Sequence, residues 1–175
     1  MKKSITALAS IFLFTMQTPK KVEKKYAVNF AITYTESYCM GMRPTEQILK
    51  ELSTPKQYPN RELSIIKGNG NFNSMKSVFV GKILTDKNGF AKLNLQEGVY
   101  SIIDNEKAAF YSKVKNDTID YKITSEACVQ DWIKRPIFTF TVTKKGANVK
   151  FQFNKSCYLG ENASQCISYI GPQRP

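Results

Sequence analysis

Apolar and polar residues alternate along much of this chain. Val28, Phe30, Ile32 and Tyr34 are separated by Asn29, Ala31 and Thr33, the period of a strand with one face in a core. Leu63 and Ile65 repeat the pattern within 61–67, and Val78, Val80 and Ile83 take it up after a polar loop at 68–74 (GNGNFNS). Phe90, Leu93 and Leu95 follow, then 99–104 (VYSIID), and a short strand is expected at 119–123. Phe138, Phe140 and Val142 lead into Lys144-Lys145-Gly146-Ala147, and Val149, Phe151 and Phe153 lead away from it. That arrangement predicts a closing hairpin.

Breaker residues divide these runs. Thr45 is placed to cap a short helix at 46–52, with Glu46 in the first turn and Lys50 later, and Pro55 and Pro59 end it. Residues 125–134 (SEACVQDWIK) suit a brief helix stopped by Pro136, whereas 104–111 fits neither period. Asn88-Gly89 is a hairpin-turn signal, and Glu97-Gly98 marks another turn. Short strands at this spacing predict an all-β fold: an antiparallel β-sandwich with short helical insertions, spanning 28–155.

Composition then removes whole classes of chemistry. The 175 residues include no His, which excludes Ser–His–Asp triads, Cys–His dyads and His-based zinc or iron sites within this chain. The formal charge is +12, yet Arg occurs only at Arg43, Arg61, Arg135 and Arg174. Bidentate recognition of phosphate or guanine favours Arg, so the scattered Lys residues read first as a solvated surface, with no specific nucleic-acid motif.

The first residues resemble an export signal. Lys2-Lys3 precedes an apolar run at 5–14 (ITALASIFLF) that is too short to cross a membrane. Processing is expected near 16–18, and no Cys follows the run to form a lipobox; a buried N-terminal helix or retained anchor is the alternative. The resulting organisation is a signal peptide at 1–18, a charged spacer at 19–27, the sandwich at 28–155 and a Cys-bearing tail at 156–175. No transmembrane span is expected in the mature chain, which places it in the periplasm or outside the cell.

Four cysteines, Cys39, Cys128, Cys157 and Cys166, agree with export. There is no CxxC pair to suggest zinc. Two disulfides are expected, and four cysteines allow three connectivities. The short polar segment between Cys157 and Cys166 could close locally, which favours Cys157–Cys166 with Cys39–Cys128.

One segment carries a family resemblance. Thr85-Asp86-Lys87-Asn88-Gly89-Phe90, then Leu93 and Leu95, then Gly98-Val99-Tyr100, resembles the pattern of carboxypeptidase regulatory-like domains, which are transthyretin-like (prealbumin-like) sandwiches. The resemblance implies an accessory module of exported bacterial proteins with no general catalytic residues. Enzymes on related sandwiches, the hydroxyisourate hydrolases and intradiol dioxygenases, depend on His, which this chain lacks.

Other candidates are weaker. Asp86-x-Asn88-Gly89 faintly matches a calcium loop, but the later ligands are missing and turn chemistry accounts for it. Gly68-Asn69-Gly70 is followed by no phosphate-loop pattern. Asp117 with Asp120, or Asp104 with Glu106, could be paired carboxylates of a glycoside hydrolase only if they face each other. Asn116, Asn154 and Asn162 begin glycosylation sequons. Trp132 is expected to pack over a disulfide or a core edge. Tyr158, Tyr169 and 170–172 form either a binding strip or a tether for the C-terminus. The expectation is a non-catalytic exported binding or structural module of the bacterial envelope, without cofactor or metal. Its partner would be another envelope protein or a polymer. The alternative is a basic-surface binder of anionic polysaccharide or nucleic acid, and a His-independent hydrolase ranks last.

Overall fold

Strand β1 (Lys25–Glu36) runs through the centre of one sheet, and its Val28, Phe30 and Ile32 are sealed in the core. The structure is a computed structural model that describes residues 23–68, 78–117, 119–160 and 164–172. The signal segment, residues 19–22 of the spacer, Asn69, Gly70, Thr118 and Asn162 lie outside the described residues. β1 takes in Lys25, Tyr26 and Ala27, which composition assigned to the end of the spacer.

The other strands are β2 (Lys56–Gln57), β3 (Glu62–Lys67), β4 (Val78–Leu84), β5 (Phe90–Gln96) and β6 (Gly98–Asp104). They are followed by β7 (Tyr121–Ile123), β8 (Phe138–Val142), β9 (Ala147–Lys155) and β10 (Ile167–Tyr169). In the first sheet β1 pairs antiparallel with β5 and, near its end, with β2, and parallel with β9. The second sheet has the order β4-β3-β6-β8, all antiparallel, and β7 pairs with β10 in a small third one. The inner faces meet in one core: Phe30 sets its ring edge against Phe140 at 5.6 Å, and Tyr100 stacks on Phe140 at 5.8 Å. The chain is an all-β sandwich.

Two expected hairpins are corrected. β4 belongs to the second sheet and β5 to the first, so the Asn88-Gly89 turn carries the chain between sheets. The Gly146 turn does the same: β8 pairs with β6, while β9 crosses over to lie parallel to β1. Alternation is blind to this difference, because an arch between sheets and a hairpin within one both bury every second residue. Phe138 and Phe151, on the two strands of the expected hairpin, meet across the sandwich at 5.6 Å. Both glycine turns press on β1. A side chain at Gly89 (φ +74°) would place its Cβ 2.5 Å from the Ile32 carbonyl oxygen, and one at Gly146 (φ +81°) would strike the Ala27 carbonyl.

Helix α1 (Glu46–Ser53) starts where expected, with Thr45 Oγ1 accepting the Ile48 N–H at 3.3 Å. The ambiguous stretch after β6 is helix α2 (Glu106–Val114), and α3 (Glu126–Lys134) is capped by Ser125, whose Oγ accepts the Cys128 N–H. With β7, β10 and the tail, α2 and α3 enclose a second small core of Val114, Val129, Trp132, Cys166 and Ile167. Trp132 packs there beside Cys128. Tyr111 donates to the Glu126 carboxylate, tying α2 to α3. That bond holds the Glu126 carboxyl below its usual range and the Tyr111 phenol above its own.

The disulfides are Cys39–Cys157 and Cys128–Cys166, which corrects the expected pairing. Strand register is the reason. β1 and β9 stay parallel from Val28↔Ala147 to Glu36↔Lys155, so the chains leave the sheet side by side and bring Cys39 to Cys157. Cys166 immediately precedes β10, which packs with α3 and thereby meets Cys128. Local closure between Cys157 and Cys166 loses because β10 carries Cys166 into the second core.

Candidate functional site

Beyond β9 the chain makes a tight turn. The Ser156 N–H and hydroxyl both donate to the Gly160 carbonyl, at 2.7 and 2.8 Å, and the Leu159 N–H donates to the Cys157 carbonyl at 2.7 Å. Tyr158 sits at the centre of that inner turn with φ +64°, a left-handed conformation unusual for a bulky residue. The Cys39–Cys157 bridge anchors this turn to the loop after β1.

The turn sets the Tyr158 ring parallel to Tyr169, with centroids 4.1 Å apart and planes within 8°. Tyr121 meets Tyr169 edge-on at 5.5 Å, and its hydroxyl donates to the Tyr158 carbonyl at 3.2 Å. The Tyr169 hydroxyl donates to the Pro172 carbonyl, and the Ile170 and Gly171 N–H groups donate to the Asp120 carbonyl. The tail is therefore tied down by the same residues that set the rings. Gly171 packs directly on the Asp120 carboxylate, where a Cβ would collide.

These rings line a cleft of about 540 Å³ with Cys39, Met40, Lys113, Asp117 and Asp120. Asp117 Oδ1 accepts the Asp120 N–H at 3.1 Å, which shapes the turn before β7. Among the described residues no hydrogen bond or ion pair reaches the Asp120 carboxylate or the Lys113 ammonium.

Several residues singled out in the sequence converge here. Asp117 and Asp120 join Tyr158 and Tyr169 on one cleft, with Cys39 at its edge. Asp104 and Glu106 lie elsewhere and share Arg61: Asp104 Oδ1 is 2.6 Å from Nη2, and Glu106 pairs with Nη1. Burial pushes the Asp104 carboxyl above its ordinary value against the opposing pull of Arg61. Asp86 is a turn residue, its Oδ1 accepting the Asn88 and Phe90 N–H groups at 2.8 and 2.9 Å. Sequence reasoning missed Lys113, Met40 and the role of Tyr121. Tyr121 was legible only as part of a strand, and Lys113 needed α2 to be recognised.

Among the described residues no group of three or more Cys, Asp or Glu side chains could hold a metal ion, and no helix is long and apolar enough to cross a membrane.

The sequence matches no family model, and no curated protein matches it. Among solved structures it is similar to the Bacillus anthracis TIE protein, at 18% identity and a TM-score of 0.36 over 75% of this chain. It is also similar to the minor pilin of Streptococcus agalactiae, at 12% identity and 0.36 over 77%, and to the shaft pilin SpaA of Lactobacillus rhamnosus GG, at 12% and 0.39 over 75%. This chain spans 17%, 45% and 51% of the lengths of those three chains.

Proposed function

We propose that this chain is an exported, non-catalytic β-sandwich module that acts by binding, with the tyrosine–carboxylate cleft as its contact surface. The observation that carries this reading is the way the fold fixes the cleft. One disulfide anchors the Tyr158 turn, the second closes the small core beneath Tyr169, and the hydroxyls of Tyr121 and Tyr169 lock the aromatic wall. Two crosslinks in a chain with a signal-like start support an oxidising compartment, the periplasm or the cell surface of a bacterium. The Asp86–Gly89 turn and the buried Tyr100 support a carboxypeptidase regulatory-like, prealbumin-like accessory module.

The test is recovery of the tagged full chain from an exporting bacterial host. The expected result is an oxidised protein outside the cytoplasm that retains an envelope component at about 0.5 M salt and loses it when Tyr158 is replaced by Gly. Reduced, cytoplasmic protein would overturn the reading. Retention that vanishes with salt and ignores Tyr158 would instead favour the Lys-rich surface as a binder of anionic polymers.

A further inference from the structure

We infer that the cleft is a saccharide site that takes an uncharged pyranose unit of a glycan; this deepens, and rests on, the reading of the chain as a binding module. The lining is aromatic and polar in a particular combination. Tyr158 and Tyr169 form a stacked pair, braced edge-on by Tyr121, against which the apolar C–H face of a sugar ring can lie. Beside them stand acceptors on Asp117 and Asp120 and a donor on Lys113. A sugar hydroxyl can donate to a carboxylate and accept from an ammonium, so one ring can use both kinds of group.

Other ligand classes fit less well. Among the described lining residues two carboxylates stand against one ammonium, a balance that disfavours a polyanion despite the net charge of +12 for the whole chain. Among the described residues no group of three or more acidic or Cys side chains is present to hold a metal cation. A wholly apolar ligand would strip water from Asp120 and Lys113 without replacing their hydrogen bonds. A volume of about 540 Å³ suits a small cyclic ligand. The aromatic wall is set in advance, because the hydroxyls of Tyr121 and Tyr169 are already bonded to backbone carbonyls, so little ordering is left to binding.

The left-handed backbone at Tyr158 makes a clean test. Glycine adopts φ +64° without strain, so Tyr158→Gly removes the ring while keeping the turn. The oxidised full-length chain is titrated with maltohexaose, cellohexaose and chitohexaose, and separately with polygalacturonate, while backbone amide NMR shifts are followed. The expected result is that one of the neutral oligosaccharides shifts the amides of Lys113, Asp120, Tyr121, Tyr158 and Tyr169. Tyr158→Gly should abolish those shifts with the rest of the spectrum intact, and Asp120→Asn should weaken binding about tenfold. No shift at these amides with any neutral oligosaccharide at about 10 mM overturns the inference, as does a neutral-sugar response that Tyr158→Gly leaves unchanged. Polygalacturonate acting on these amides also overturns it, while leaving the binding-module reading in place.

Discussion

Gly146 lies on the carbonyl of Ala27, at the point where the chain leaves one sheet and enters the other. Its φ of +81° and the missing side chain are both required there, since a Cβ would meet the β1 backbone rather than a movable side chain. Gly146→Ala is therefore expected to cost about 2–3 kcal/mol in urea unfolding. Gly81→Ala is the control: among the described residues, apart from its chain neighbours, no heavy atom lies within 4 Å of the position its Cβ would take, and a change within about 0.5 kcal/mol is expected. Equal losses at the two positions would show that the arch is not tightly packed.

That contact also shows what the sequence could and could not disclose. Strand periods, the Thr45 cap and the turn chemistry of Asp86 are local properties, and each is legible from a few neighbouring residues. Which strand pairs with which is decided across the molecule. Phe138 and Phe151 alternate in the same way whether their strands share a sheet or face each other. The cysteine pairing failed for the same reason, since it follows from the parallel β1–β9 register, which no short window contains. The cleft was half legible: Asp117, Asp120, Tyr158 and Tyr169 were singled out separately, and only the β7–β10 pairing brings them together.

Arg61 is closed off from solvent and sits 2.6 Å from Asp104 through Nη2, with its guanidinium 5.2 Å from the Tyr58 ring centroid and 4.8 Å from that of Phe153. Removing one partner of a buried pair leaves the other charge without compensation. Arg61→Met is expected to cost about 3–5 kcal/mol, and the double variant with Asp104→Asn should lose distinctly less than the sum of the single losses. Chemical denaturation of all four species reads the coupling. Additive losses would show that Arg61 and Asp104 do not stabilise each other.

The two disulfides close loops of different length, 118 and 38 residues in sequence separation. In the chain-entropy description, removing Cys39–Cys157 costs about 5 kcal/mol and removing Cys128–Cys166 about 4 kcal/mol. Paired Cys→Ser variants test the order of the two losses. Peptide mapping without reduction should recover the 39–157 and 128–166 crosslinks, and a 39–128 crosslink would contradict the β1–β9 register.

Lys107 offers a test in pH. Its ammonium is almost wholly buried, donating to the carbonyls of Trp132 at 3.1 Å and Arg135 at 2.8 Å, and it lies 5.5 Å from the Trp132 ring centroid. Burial, aided by the charge of Arg135 and opposed by that of Asp104, draws its pKa below the ordinary 10.5. The folded chain then releases this proton at a lower pH than the unfolded chain. Across the interval between the two values the unfolded state holds more protons, so Lys107 makes stability rise with pH there. Lys107→Met abolishes that rise. The unfolding free energy of the wild type minus that of the variant, followed by the fluorescence of Trp132 from about pH 8 to about pH 11, should therefore slope upward toward 10.5 and level off above it. A flat difference would mean that the buried ammonium keeps its ordinary affinity for the proton, and that its two carbonyl partners fully offset its desolvation.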